Sequence, residues 1–147
     1  MKYYIAGPMS GIPQFNYPAF DKMADKIRDM GHEVMSPAEM DSEAVRHIAM
    51  ASEHGNLSEF NSDSTWGDFL ARDVKIVADE VDGVVLLPGW TNSRGARLEA
   101  FIALTVQKPV MRYTRGCLEV MDPSTAAKLI AGYVVDQGDV SRYEEAS

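Results

Sequence analysis

The chain holds one cysteine, Cys117, among its 147 residues. It can form no internal disulfide and no cysteine-based zinc site. A lone cysteine reads first as a packed apolar residue; a nucleophilic role would need a thiolate-favouring environment that the sequence does not display. Positive charge is also scarce: 14 Lys and Arg stand against 22 Asp and Glu, for a net charge of −8. A protein that tracks a nucleic-acid polymer needs a basic surface to neutralise phosphates, so that class is excluded, while one small phosphate held by a few donors is not. No apolar run has the length that spans a bilayer, so no membrane partner is expected. Met1-Lys-Tyr-Tyr-Ile leads into a strand pattern without the design of a signal peptide. The cytoplasm is the expected compartment. Internal repeats and low-complexity segments are lacking as well.

What is present is the composition of an ordinary globular protein, 46% hydrophobic and 24% charged. We read residues 1–147 as a single domain. Four short apolar runs read as buried strands: Lys2–Ala6, His32–Ser36, Gly83–Leu87 and Pro109–Tyr113. Each is rich in Val, Ile, Tyr or Met and bounded by Gly or Pro. Between them lie helical patterns over residues 17–30, ended by Gly31, and over 67–80 and 93–107. Strands alternating with helices predict an α/β fold: a Rossmann-like (flavodoxin-like) parallel sheet flanked by helices. Residues 40–65 fit less well. They contain a short helix over Ser42–Ala51 and a polar stretch, long enough to act as a lid or an interface segment. After residue 114 one helix is expected near Ser124–Tyr133, and residues 141–147 read as a frayed tail.

Two carboxylates fall where helices should be apolar. Asp73 sits four residues after Phe69, in the stripe formed by Phe69, Leu70, Val74 and Val77. Glu99 sits three residues before Ile102 and seven before Val106. Residues three and four apart share a helix face, and burying a charge is costly unless something compensates. The plain explanation is a local ion pair with Arg72, Arg94 or Arg97. The functional one is a site that needs paired acids, and such acids can cleave a glycosidic bond through an oxocarbenium-like transition state. Glu99 would then be the nucleophile, and Asp73 would orient substrate or act as acid/base.

Ligands of open α/β sheets bind beyond the carboxyl ends of the strands. The loop after strand one, Gly7-Pro8-Met9-Ser10-Gly11, is a stiff turn with accessible N–H groups. It matches neither a dinucleotide fingerprint nor a P-loop, and alone it would be a plain strand-to-helix turn. After strand three, Asn92 or Ser93 can cap the helix that carries Glu99. With Arg94 and Gly95 that helix start forms an anion pocket suited to phosphate. Trp90 could stack on a base or simply pack. Phe15, Asn16 and Tyr17 could touch sugar or base, although Asn16 could equally cap the first helix.

These residues resemble the nucleoside 2-deoxyribosyltransferase superfamily. The resemblance rests on Tyr4-Ile-Ala-Gly-Pro-Met, on Arg72-Asp73 with Ala78-Asp79 before a Val-Val strand, and on Gly95, Glu99, Ala103 and Lys108-Pro109-Val110. It covers roughly residues 3–37 and 66–113, in the form of a branch found in bacteria and their viruses; for a viral member the compartment would be the host cytoplasm. The superfamily includes deoxynucleotide N-hydrolases and nucleotide N-glycosidases. The resemblance implies that Glu99 is the nucleophile and Asp73 the helix-borne aspartate. It implies that Tyr3 or Tyr4 is the strand-one tyrosine that contacts the nucleophile, with Tyr4 carried forward, and that Ser93 and Gly95 form the phosphate- or sugar-binding turn. It also implies no metal or organic cofactor, and a homodimer or larger homo-oligomer in which a neighbour closes the site. Many transferases carry Asp-Ser-Gly-Thr before the glutamate helix. Here Asn92-Ser93-Arg94-Gly95-Ala96 loses an acid and gains a cation, which favours a phosphorylated substrate.

The expectation is therefore hydrolysis, ahead of transfer, of the N-glycosidic bond of a (deoxy)nucleoside 5′-monophosphate. The alternatives are a non-catalytic binding protein for a nucleotide-derived molecule, acting as sensor or sponge, and a structural oligomer that keeps only the fold. His47 and His54, with Glu43 or Glu53, could suggest a metal, but their spacing suits a solvated helix better.

Overall fold

The computed structural model describes residues 1–56 and 65–137. The strands are β1 (Lys2–Ala6), β2 (Glu33–Met35), β3 (Gly83–Leu86), β4 (Val110–Thr114) and β5 (Cys117–Val120). The helices are α1 (Tyr17–Asp29), α2 (Pro37–Met40), α3 (Glu43–Ala51), α4 (Trp66–Asp79), α5 (Arg94–Thr105) and α6 (Pro123–Gln137). They form one α/β unit around a five-stranded sheet in the order β2-β1-β3-β4-β5. The pairs β1–β2, β1–β3 and β3–β4 are parallel, with Tyr4 beside Met35 and Val84. The chain reverses its direction of winding between β1 and β3, and the crevice at that switch point is where a doubly wound sheet takes a ligand.

Both sheet faces are covered, as the near-continuous apolar strands require. Tyr3, Ile5, Val85, Leu87 and Met111 pack with Phe20, Ala24 and Ile27 of α1. Tyr4, Ala6, Val84, Leu86 and Val110 pack on the other side with Val77 of α4, with Ala96, Ala100 and Ala103 of α5, and with Ala126 of α6. The alanines let α5 lie close to the sheet, which places Glu99, on the same stripe, under the end of β1.

Local chemistry fixes the ends of these elements. Gly31, at φ +87°, takes the left-handed position that ends α1. Thr65 and Asp68 form a reciprocal capping box that starts α4: Asp68 N–H donates to Thr65 Oγ1 at 3.1 Å and Thr65 N–H to Asp68 Oδ2 at 2.8 Å. Ser93 caps α5 by accepting from Ala96 N–H at 3.1 Å.

Several expectations need correction. The expected parallel sheet is present, and it gains one strand at its edge that was not expected, β5, which runs antiparallel to β4. A tight hairpin joins them, with Arg115 and Gly116 both at positive φ, the backbone of the two-residue turns that match strand twist. Cys117 is exposed rather than packed, because β5 is an edge strand with little of its surface covered. Asn16 does not cap α1 with its side chain; it lies at φ 61° and donates Nδ2 to Pro8 O at 2.9 Å. Gln14, Phe15 and Asn16 are all left-handed, at roughly 1–2 kcal/mol per residue. The segment after α3 anchors this turn: Gln14 N–H donates to Ser52 O and Gly11 N–H to Gly55 O, each at 2.8 Å. Part of the 40–65 stretch, and the tail at 141–147, lie outside the described residues.

Candidate functional site

The carboxyl ends of β1 and β3, the start of α5 and the first half of α4 enclose a cleft of about 520 Å³. The β1 loop supplies Gly7, Pro8, Met9 and Ser10, and the start of α5 supplies Asn92, Ser93, Arg94 and Gly95. Tyr4, Asp73 and Glu99 form its acidic centre. Aromatic surface comes from Phe15, Tyr17, Phe20 and Phe69.

Glu99 is only 6% exposed, and among the described residues neither its Oε2 nor the buried Tyr4 hydroxyl makes a hydrogen bond of good geometry, although the two groups lie close enough for each to shift the other's protonation. Neither Arg72 nor Arg94 forms an ion pair with Glu99 among the described residues; Arg72 pairs with Asp41 and Asp73. Arg97 donates to Thr91 O at 2.6 Å. Burial pushes the Glu99 carboxyl up to about 8; the Tyr4 hydroxyl opposes that, Asp73 adds to it, and Arg72 opposes it. At neutral pH this acid therefore carries its proton. Burial holds the Tyr4 hydroxyl well above the usual phenol range, with Glu99 and then Asp73 adding to the effect.

Asp73 has a partner. Arg72 Nε donates to its Oδ1 at 2.9 Å. Burial raises the Asp73 carboxyl above its ordinary value, while Arg72, and more weakly Tyr4, pull it back. The plain ion-pair explanation thus describes Asp73 and not Glu99. The stripe around Asp73 also differs from a core face. Val77 is fully buried, but Phe69 and Leu70 are half-buried and border the cleft.

Gly95 faces open space: a Cβ there would meet nothing closer than Ser93 Oγ at 3.9 Å and Leu70 Cδ1 at 4.0 Å. Packing does not demand a glycine at this helix start, and the missing side chain leaves the backbone open to close approach. Arg94 is exposed at the cleft edge and forms no ion pair among the described residues. The first amides of α5 lack intrahelical acceptors, so this end offers donors and a cation together.

Two anticipated binding residues lie elsewhere. Trp90 is buried in the core with Ala96 and Met121 rather than lining the cleft, because its short 3-10 turn folds the indole inward. Gly11 also lies off the cleft, its N–H tied to Gly55 O. Conversely, Asp41, Arg72, Val45 and Phe20 border the site without having been singled out for it. Only the fold brings residue 41 to residue 72, so no local pattern signals it. His47 and His54 are exposed, and among the described residues no group of three or more His, Cys, Asp or Glu is placed to hold a metal ion. No described helix is long and apolar enough to cross a membrane.

Residues 1–112 match the family model described as Domain of unknown function (DUF4406). The chain belongs to that family. The match runs from β1 into β4 and so takes in every cleft residue, while the β4–β5 hairpin and α6 lie largely beyond it. No curated protein matches the chain.

Proposed function

We propose that the protein hydrolyses the N-glycosidic bond of a (deoxy)nucleoside 5′-monophosphate, as the resemblance to the nucleoside 2-deoxyribosyltransferase superfamily suggests. The observation that carries this reading is the buried Glu99 carboxyl, whose Oε2 makes no hydrogen bond of good geometry among the described residues, beside a second acid in a nucleotide-sized cleft. A buried acid left unpaired is costly to the fold, and an acid with its pKa displaced inside a cleft is a mark of chemistry.

The step balances with Glu99 protonated at the start. The C1′–N bond breaks as Glu99 oxygen bonds to C1′, and the proton of Glu99 ends on the departing base. Water then attacks C1′, its second proton returns to Glu99, and a sugar phosphate leaves. Asp73 orients the sugar or relays the proton, and the Tyr4 hydroxyl supports the carboxylate as it forms. The start of α5, with Ser93, Arg94 and Gly95, takes the 5′-phosphate. Hydrolysis is favoured over transfer because transfer needs a second base to enter a site kept dry. No metal or organic cofactor is required. A homodimer or larger assembly in the cytoplasm belongs to the same proposal.

The raised Glu99 carboxyl also suits a second reading. A carboxyl that keeps its proton at neutral pH is a hydrogen-bond donor, which would suit a protein that holds a nucleotide-derived molecule without cleaving it. Incubation with a panel of nucleoside and deoxynucleoside monophosphates, followed by chromatography for free base, separates the two. Base released by wild type and not by Glu99→Gln supports the glycosidase. No release from any nucleotide, with a nucleotide nonetheless raising the melting temperature, moves the assignment to binding.

A further inference from the structure

Arg72 lies between two acids from distant parts of the chain. Its Nε donates to Asp73 Oδ1 at 2.9 Å and its Nη1 to Asp41 Oδ1 at 3.0 Å. The other oxygen of Asp41 accepts from the Tyr17 hydroxyl, and the Asp41 side chain is only 8% exposed. The Arg72 guanidinium also lies over the Phe69 ring, 5.5 Å from its centroid. A planar fork held at two edges and on one face has little freedom to turn. Tyr17, Asp41, Arg72 and Asp73 all border the cleft that Glu99 lines. An acid as buried as Asp41 must be paired to be tolerated, and the partner it has is the one that also grips Asp73.

We propose that Arg72, shared between Asp41 and Asp73, is a positioning residue that holds the Asp73 carboxylate and directs it at the cleft. The catalytic consequence rests on the glycosidase reading; the pairing of Arg72 with Asp73 does not. The charged and titratable groups around Asp73 are Arg72 on α4, Tyr4 on β1, Glu99 on α5 and Asp41 at the α2–α3 junction, with Tyr17 of α1 at one remove. Arg72 favours the Asp73 carboxylate. Asp41 disfavours it through space and also shares the same cation. Removing the two charges should therefore move Asp73 in opposite directions, and the split between kcat and KM separates a positioning role from a merely structural one.

The test is a carbon-13 NMR titration of the full chain labelled at its aspartate carboxyls, with the Asp73 signal identified by its loss in Asp73→Asn. The midpoint of Asp73 should rise by about one pH unit or more in Arg72→Gln. It should fall in Asp41→Asn and stay near wild type in Arg72→Lys. An unchanged midpoint in the folded variants, or a shift of the same sign in Arg72→Gln and Asp41→Asn, overturns the proposal. Should Arg72→Gln fail to fold by circular dichroism, Asp41→Asn decides by the direction of its shift. With a nucleotide that wild type cleaves, Arg72→Gln should lower kcat roughly tenfold or more with KM within about threefold, and Arg72→Lys should recover part of that. A loss confined to KM overturns the positioning role. Wild type that cleaves no nucleotide defeats the glycosidase reading, and the titration still decides whether Arg72 holds Asp73.

Discussion

Gly7 and Leu87 leave no room between them for a side chain: a Cβ built on Gly7 would lie 2.7 Å from Leu87 Cβ. The two residues follow β1 and β3 at the switch point, where Leu87 N–H donates to Ala6 O at 2.8 Å. The close approach sets the path of the following loop, whose Pro8, Met9 and Ser10 border the cleft. Gly7→Ala must push that loop or the end of β3 aside. It should cost about 1–3 kcal/mol, as overpacking usually does, and lower the urea midpoint. It should also weaken any ligand of the cleft. A variant as stable as wild type would mean that the loop gives way freely.

Lys108 closes the far end of α4. Its Nζ donates to Ala78 O at 2.7 Å and to Val77 O at 3.1 Å, carbonyls in the last turn, where a cation also meets the negative end of the helix dipole. Lys108→Met keeps the apolar stem and removes both bonds. The expected loss is about 1–3 kcal/mol, read as a lower chemical-denaturation midpoint with an unchanged slope. Because α4 carries Asp73 at some distance from this end, ligand binding at the cleft should survive.

Much of the fold was legible because it is written in short-range pattern. The four parallel strands are β-rich runs cut off by Gly or Pro, and α1, α4 and α5 show apolar residues at helical spacing beside good caps. Glu99 and Asp73 stood out for the same reason, as charges inside an apolar period. β5 escaped because Cys117–Val120 is largely exposed and so has no buried alternation, and because its turn uses Arg115-Gly116 rather than a stronger turn pair. Trp90 was open to either reading, since an aromatic in a loop looks the same whether it faces a ligand or the core. Asp41 was illegible for another reason. It precedes the Ser42 cap and reads as a helix-start acid; only the folded chain sets it against Arg72 and Tyr17.

Glu99 makes stability depend on pH with a definite sign. Its carboxyl is raised from 4.5 to about 8 in the folded protein. Below pH 4.5 both folded and unfolded states hold the proton, and the contribution of this group is fully present. As pH rises towards 8 the unfolded chain releases the proton while the native state keeps it, so native stability falls, by up to about 1.4 kcal/mol per pH unit from this group alone. Glu99→Gln removes that dependence. The melting-temperature gain of the variant over wild type should widen between pH 4.5 and 8 and level off above. A gain that stays constant across the range would mean that Glu99 ionises as an ordinary surface carboxylate, and the account of a proton held in the cleft would fail with it.

Arg94 tests which ligand the start of α5 accepts. The side chain is exposed beside the cleft, it follows the Ser93 cap, and it precedes a glycine whose missing Cβ is not required by packing. If the site takes a 5′-phosphate, Arg94 supplies a charge-assisted hydrogen bond that a free nucleoside cannot use. Arg94→Ala should then weaken nucleoside monophosphates by roughly 1.5–3 kcal/mol and leave the matching nucleosides within a few tenths. Titration calorimetry in the Glu99→Gln background measures both without turnover. The nucleotide loss should shrink at high salt, since an exposed cation is screened. Equal losses for nucleotide and nucleoside would show that Arg94 does not read the phosphate. The preference for a phosphorylated substrate would then have to rest on the α5 amides and Ser93 alone.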